Sequence, residues 1–281
     1  MPFVLYFLIF SFGLCIGSFL NVVISRGPVL WGLAHSAHTE RLGFATPRSQ
    51  CASCHTPLKS WHLIPVFSWL VLRGRCAYCR ERISIRYPLV ELAVGVLAVA
   101  LVRMNGWYPE TLFLFVAACL IVALGVIDLE TGYLPDMLTL PLIALGLIGG
   151  LISEWFWGFV PFFDALIGAI VGYGVFWLIR FIYLKMRGIE GLGLGDAKML
   201  AGLGAVAGWM SLPLVVLAAS LAGLVFVGIM HLRGKVVGAQ TAIRFGPFLA
   251  IGGLLILLSL TAYRFPWEPV ERFMVVPGTI Q

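Results

Sequence analysis

The sequence ALGVIDLETGYLPD, residues 123–136, joins two apolar runs and places carboxylates at their junction. The first run arrives at Asp128, and the second starts directly after Asp136. Burying a charge in a bilayer is expensive, so acidic residues beside long apolar segments are either helix ends that reach water or functional groups. The rest of the chain has to decide between these two interpretations.

The composition predicts an integral membrane protein. The chain has 281 residues, of which 60% are hydrophobic and 11% are charged, and its mean hydropathy is +1.00. A soluble domain carries about 25% charged residues. The apolar runs predict an all-α polytopic membrane protein with about eight transmembrane helices. The predicted spans are 3–24, 88–104, 111–127, 137–153, 162–183, 198–210, 212–231 and 245–263.

Basic residues predict the orientation of these spans. The first run is kept as a span because it has no basic region before it and no clear cleavage site after it. Sixteen of the 19 Lys and Arg residues lie in the loops 25–87, 180–198 and 231–244. The positive-inside rule then places these loops and the Asp128–Asp136 turn in the cytoplasm, with both termini outside. The basic residues behind the net charge of +6 are therefore interpreted as determinants of membrane orientation, and a nucleic-acid surface is not expected.

Four cysteines in the first long loop predict a metal site. They form CASC at 51–54 and CAYC at 76–79, with 21 residues between the two pairs. Two Cys-x-x-Cys pairs at such spacing suit a closed, structural tetrahedral Zn(II) site, and the predicted ligands are Cys51, Cys54, Cys76 and Cys79. A reducing cytoplasm disfavours structural disulfides. A redox-active dithiol pair or free thiols stay open as alternatives.

The spans and the cysteines divide the chain into four parts. We expect a first span at 1–25, a small cytoplasmic zinc-binding domain with four cysteine ligands at 26–87, a seven-span membrane domain at 88–263 and a C-terminal tail at 264–281.

A second carboxylate is predicted on the same membrane face as Asp128. The loop before the sixth span reads RGIEGLGLGDAKML, in which Asp196 follows three glycines. Two neighbouring carboxylates resist joint ionisation, so one keeps a proton near neutral pH, as aspartyl protease chemistry requires. Glycines also let a peptide substrate approach the backbone closely.

Other roles for these carboxylates stay open on the residues alone. Asp136 follows a proline and opens a helix, so it suits a capping role. Asp196 is also placed to start a helix and is close enough in sequence to pair with Lys198. Carboxylates of a cation-coupled transporter would be a further interpretation, although the spans show no inverted repeat. A membrane-anchored zinc scaffold would leave Asp128 and Asp196 without a role.

Several motifs occur in a characteristic order. They are GSFLNVVISR at 17–26, the two cysteine pairs, RYPLVEL at 86–92, DLETGYLPD at 128–136, EGLGLGDAKML at 190–200 and FGPFLAIGG at 245–253. Together they closely resemble the bacterial type IV prepilin peptidases, also called leader peptidase/N-methyltransferases, which are GxGD-type membrane aspartic proteases. The resemblance runs from about residue 10 to 255. One departure is Arg26-Gly27-Pro28, where the family usually has Arg-Leu-Pro.

The resemblance implies an activity and a set of residues. It implies an inner-membrane enzyme that cleaves the basic leader of type IV prepilins or type II secretion pseudopilins after a glycine, on the cytoplasmic face. It further implies methylation of the new N-terminal residue with S-adenosylmethionine. The family's catalytic aspartates fall on Asp128 and Asp196, and its zinc-binding cysteines fall on the four cysteines above. No strand–GxGxxG–helix unit is present in the sequence, so the methyl donor is expected from resemblance alone.

The basic leader of such a substrate needs a partner on a chain that is itself basic. We hypothesise that the acids near the aspartates, Glu130, Asp136 and Glu190, attract it.

Overall fold

The computed structural model describes residues 3–33, 43–152, 160–188, 191–234 and 244–264, with side chains as far as residue 259. These parts of the chain are helical, and isolated bridges are their only β-structure. The α-helices are α1 (Phe3–Leu30), α2 (Phe67–Val71), α3 (Arg86–Asn105), α4 (Pro109–Thr131), α5 (Asp136–Ile152), α6 (Phe162–Arg187), α7 (Leu194–Ala207), α8 (Leu212–Leu232) and α9 (Gly246–Arg264). Each of the eight predicted apolar runs coincides with one of the longer helices, which confirms the all-α prediction.

The described helices differ in whether they are long enough to cross a membrane. Five segments are long and apolar enough: α1, α3, α4, α6 and Trp209–Leu232, which contains α8. The apolar helices α5 and Gly246–Ser259 of α9 are shorter. Helix α7 has 14 residues and is about 21 Å long, against about 30 Å of hydrocarbon in a bilayer. The chain is therefore a multi-pass membrane protein, and a count of eight spans stays a prediction.

Several helices extend past the predicted spans, and two of these extensions bring Asp128 and Asp196 into a helix. Helix α4 continues past the predicted end at 127 to Thr131, and α7 begins at Leu194, before the predicted start at 198. Gly132 ends α4 in the left-handed conformation, with φ 76°, and donates its N–H to the carbonyl oxygen of Asp128. Apolarity defined the predicted spans, whereas hydrogen bonding carries each helix through its polar terminal turn.

Small residues hold the short helix α7 between α5 and α6. A Cβ atom on Gly168 of α6 would collide with the carbonyl oxygen of Gly204, and one on Gly172 would lie 2.6 Å from that of Leu200. A Cβ atom on Gly146 of α5 would lie 2.5 Å from the backbone of Ala205. Such close backbone approach is the usual packing of helices in membranes. Close contacts with α5 and α6 therefore hold the middle and the end of α7.

The cysteine-rich module lies between α1 and α3 in the chain and is tied to both helices. Arg26 near the end of α1 donates hydrogen bonds to the carbonyl oxygens of Gly43 and Pro47, at 2.7 and 2.9 Å. The backbone N–H of Val66 donates to Oε2 of Glu91 in α3, at 2.7 Å. These contacts fix the module at one end of the helical bundle.

Candidate active site and cysteine cluster

Asp128 lies in the last turn of α4 and is buried, with 5% of its surface exposed. Its Oδ2 atom is buried and has no hydrogen-bond partner among the described residues. Gly246, the first residue of α9, closes against this carboxylate, and a Cβ atom there would lie only 2.5 Å from Oδ2. The start of α9 therefore leaves room for the carboxylate only because residue 246 is a glycine.

Asp196 lies in the first turn of α7, outside the five membrane-length segments. Burial and the negative charge of Asp128 raise the pKa of Asp196 to about 7, against the opposing effect of a hydrogen bond from the backbone N–H of Gly193. Removing water from a carboxylate and placing a second carboxylate near it both disfavour the charged form. Asp196 is therefore suited to keeping a proton near neutral pH.

Asp128 and Asp196 come from two helices that are distant in the sequence, and they lie near enough for the charge of Asp128 to act on Asp196. The last turn of α4 supplies one carboxylate and the first turn of α7 supplies the other. Each of two neighbouring carboxylates disfavours the ionisation of the other, so one of them keeps a proton more readily. Such a pair offers one group that accepts a proton from water and one that donates a proton to a carbonyl oxygen. Their catalytic role stays a prediction that this geometry favours.

Arg244 is a residue of the site that the sequence did not predict. Its Nη1 atom donates to the carbonyl oxygen of Asp128 at 3.2 Å and also to that of Leu129. Its Nε atom lies 3.3 Å from where a Cβ atom on Gly132 would be. In the sequence, Arg244 is only one of the basic residues that predict orientation, because nothing in its spacing links it to Asp128. Its place directly before the FGP motif was the one available signal.

The acids proposed to attract a basic leader already have partners inside the chain. Asp136 opens α5, in agreement with its predicted structural role, and accepts a 2.5 Å ion pair from Lys198. Glu130 pairs with Arg86, also at 2.5 Å. Glu190 lies outside the described residues. Glu130 and Asp136 therefore attract a leader only if they exchange these partners, which argues against the hypothesis for these two acids.

The four predicted ligands come together as one cluster. All four Sγ atoms lie within 4.8 Å of one another, and those of Cys51 and Cys79 are 3.7 Å apart. Zn–S bonds of about 2.3 Å at tetrahedral angles require sulfur atoms about 3.8 Å apart. None of the four forms a disulfide.

The backbone repeats the same turn around each pair of cysteines. His55 donates its N–H to the carbonyl oxygen of Cys51 at 3.0 Å, and Arg80 donates to that of Cys76 at 3.1 Å. His55 and Arg80 both have positive φ angles, 54° and 62°. Two equivalent turns that aim their thiols at a common centre fit a closed four-sulfur metal site. The distances between the sulfur atoms and the chemistry of four cysteine donors both fit a bound metal ion.

Comparison with known proteins identifies the family. Residues 11–104 match the bacterial Peptidase A24 N-terminal domain, and residues 113–228 match the type IV leader peptidase family. These matched regions contain both aspartates and all four clustered cysteines. The chain belongs to the family of the prepilin leader peptidases.

Relatives with assigned names align over nearly their whole length. The prepilin leader peptidase/N-methyltransferase of Aeromonas salmonicida (strain A449) is 42% identical over 275 residues, which cover 92% of this chain and 92% of the relative. The protein of the same name from Neisseria gonorrhoeae is 39% identical, and the alignment covers 94% of this chain and 93% of the relative. The protein of this name from Burkholderia pseudomallei (strain K96243) is 41% identical, and the alignment covers 89% of this chain and 84% of the relative. No solved structure matches the chain.

Proposed function

We propose that this protein is a membrane aspartyl endopeptidase that removes the leader of type IV prepilins or type II secretion pseudopilins and then N-methylates the new terminus. The observation that carries the peptidase is the pairing of buried Asp128 with Asp196, whose pKa of about 7 suits a shared proton. The names of the relatives support both activities. They do not favour the alternatives of a zinc scaffold or a cation-coupled transporter.

The two carboxylates divide the chemistry between them. Asp196 carries the proton of the resting pair and donates it to the scissile carbonyl oxygen. Asp128 takes a proton from a water molecule, whose oxygen attacks the carbonyl carbon. The tetrahedral intermediate then collapses: the proton on Asp128 moves to the leaving amine, and one hydroxyl proton of the intermediate returns to Asp196. The products are a peptide acid and a free amine, and the pair is restored.

The amine released by cleavage is the acceptor for the second activity. S-adenosylmethionine would supply a methyl group from its sulfonium sulfur to this nitrogen, which leaves S-adenosylhomocysteine and a proton. We assign no residue to this step. The cysteine cluster would hold Zn(II) through Cys51, Cys54, Cys76 and Cys79, in a structural role because four sulfur ligands leave no open coordination position.

The proposed topology presents the substrate to the aspartates. We propose eight spans in a bacterial inner membrane, both termini in the periplasm, and the aspartates and the 26–87 cysteine domain on the cytoplasmic side. The 88–263 part would form the catalytic membrane domain, and the tail 264–281 lies outside the described side chains. The basic loops support this orientation through the positive-inside rule. The apolar helix of a prepilin would then lie in the bilayer while its basic leader stays in the cytoplasm.

Cleavage of a defined substrate tests the function. The purified protein in lipid is given a prepilin with a basic leader and a Gly-Phe junction, with and without S-adenosylmethionine, and the products are analysed by mass spectrometry. We expect one cut after the glycine, and a gain of one methyl group only when the donor is present. Uncut substrate after incubation with folded protein would contradict the peptidase proposal, whereas cleavage without methyl gain would contradict only the second activity.

A further inference from the structure

The cysteine-rich module exposes an apolar segment, residues 61–71, that the described part of the chain leaves uncovered. Trp61 is 59% exposed, Phe67 is 61% exposed, and Leu70 and Val71 are 60% and 63% exposed. Leu63 and Ile64 are also exposed. A contiguous apolar surface of this kind on a small polar module marks an interaction site.

A hydrogen bond attaches the apolar segment to α3, close to the start of this membrane-length helix. The backbone N–H of Val66 donates to Oε2 of Glu91, at 2.7 Å, and Glu91 is buried. Glu91 is the sixth residue of α3, so it lies only about 7.5 Å along the axis from the start of the helix. Val66 has a φ of 60°, which a β-branched residue rarely adopts. Such a conformation persists where the surrounding structure holds it, so this attachment is a specific feature of the fold.

The outer surface of α3 at this level is apolar. Leu89 and Val96 are 55% and 58% exposed, as expected for side chains that face lipid in a membrane-length helix. The bond to Glu91 therefore holds the apolar segment at the same depth as these lipid-facing residues, although Glu91 itself lies on another face of α3. A soluble protein partner for this surface would have to bind at the edge of the bilayer.

The residues that flank the apolar segment are basic. Lys59 precedes it, with its Nζ atom 5.1 Å from the centre of the Trp61 ring, and the exposed Arg73 and Arg75 follow it. No acidic residue occurs between Lys59 and Arg80. Tryptophan together with Lys and Arg is typical of segments at a membrane–water interface. Basic residues there are attracted to anionic lipid headgroups.

We propose that the apolar segment inserts into the headgroup region of the adjacent bilayer leaflet and docks the cysteine-rich module on the membrane. Phe67, Leu70 and Val71 then contact acyl chains near their glycerol ends, and Lys59 and Arg73 face lipid phosphates. The Glu91–Val66 hydrogen bond fixes the depth of the segment. This role is independent of the peptidase chemistry, because it requires no substrate.

Photocrosslinking tests the proposal on the full-length protein. Photoreactive benzoylphenylalanine replaces Phe67 or Leu70, and each variant is reconstituted in phosphatidylcholine/phosphatidylglycerol nanodiscs without any prepilin. Val96 of α3 is the lipid-facing reference position, and Ser53, an exposed polar position of the same module, is the matched control. After irradiation, mass spectrometry detects covalent protein–lipid adducts. We expect adducts at 67 and 70 in yields comparable with 96 and several-fold above 53.

Two results would overturn the proposal. One is a yield of lipid adducts at 67 and 70 no higher than at 53 in variants that retain the wild-type thermal transition. The other appears when prepilin is added: adducts to prepilin that replace those to lipid would make the segment a substrate surface. A double variant, Lys59→Glu with Arg73→Glu, tests the role of charge through the same yield of lipid adducts. The yield should fall more in nanodiscs that contain phosphatidylglycerol than in phosphatidylcholine alone.

Discussion

Arg244 and Asp128 are 116 positions apart, and the guanidinium of the first donates to the backbone carbonyl oxygen of the second at 3.2 Å. Arg244 also donates to the carbonyl oxygen of Leu129. Both oxygens belong to the last turn of α4, and that of Asp128 also accepts the N–H of Gly132, so Arg244 is a second donor at this helix end. Arg244 therefore caps the turn that carries Asp128 and links it to the start of α9.

Arg244→Ala should lower kcat of leader cleavage with little change in KM. The variant loses the cap of α4, and misplacing a catalytic group by about 1 Å can cost about 100-fold. Arg244→Lys should recover part of the activity, because it keeps one donor but not the planar fork. Steady-state kinetics on a prepilin peptide measure both values. Equal kcat in wild type and Arg244→Ala would contradict a positioning role.

Gly246→Ala should inactivate the peptidase, because the new methyl group would lie 2.5 Å from Oδ2 of Asp128. No arrangement of real atoms tolerates this distance, so the carboxylate or the start of α9 must move. We expect a loss of activity on the order of 100-fold. Gly228→Ala in α8 is the matched control, since a Cβ atom there meets nothing within 4 Å. If the two variants cleave equally well, the described approach of Gly246 to Asp128 is wrong.

The pH dependence of cleavage should show a basic limb near pH 7. Asp196 must be protonated to donate to the carbonyl oxygen, and its pKa is raised to about 7. Activity should therefore fall as the pH rises through this value. The measurement is kcat/KM of wild type over a pH series. A rate that stays constant to pH 9 would exclude Asp196 as the proton donor.

The raised pKa of Asp196 also predicts how the stability of the fold changes with pH. The pKa of Asp196 is about 7 in the folded state, against about 3.9 for an unfolded aspartate. A carboxyl with a raised pKa contributes its full stabilisation below about pH 3.9. This stabilisation is lost as the pH rises through about 7. The thermal midpoint of wild type should therefore decrease over this window relative to that of Asp196→Asn, which cannot ionise. Parallel midpoints for the two proteins between pH 4 and pH 8 would contradict the raised pKa.

Metal content tests the cysteine cluster. Wild type purified without chelator should carry one zinc ion per chain, and Cys76→Ser should lose it together with stability of the module, because metal binding is coupled to folding in small domains. Cys15→Ser in α1 is the control, since Cys15 lies outside the cluster. Elemental analysis reads the metal directly. Full zinc occupancy in Cys76→Ser would mean that the four sulfur atoms are not the ligand set.

Some features of the fold were predictable because a local pattern carries them. Apolar runs located the helices, and two Cys-x-x-Cys pairs located a cluster whose sulfur atoms indeed lie within 4.8 Å of one another. Asp136 was expected to open a helix, and it opens α5. Each of these predictions depends on residues that are close in sequence.

Other features depend on contacts between distant residues and were not predictable. The approach of Arg244 to Asp128 and of Gly246 to the same carboxylate exists only after α9 packs against α4. The Glu130–Arg86 and Asp136–Lys198 ion pairs join different helices, so the sequence does not show that these acids already have partners. The sequence indicated that one carboxylate of the pair would keep a proton, but the raised pKa of Asp196 depends on its burial and on Asp128, which only the structure shows.

The most direct test of the account compares three single substitutions of aspartate in the same cleavage assay. Asp128→Asn and Asp196→Asn each remove one member of the pair, while Asp136→Asn removes a carboxylate that is ion-paired with Lys198 and has no catalytic role here. We predict that the first two variants lose at least about 100-fold in cleavage rate while keeping their thermal transition, and that Asp136→Asn keeps most of its activity. Cleavage at the wild-type rate by either Asp128→Asn or Asp196→Asn would contradict the proposed pair.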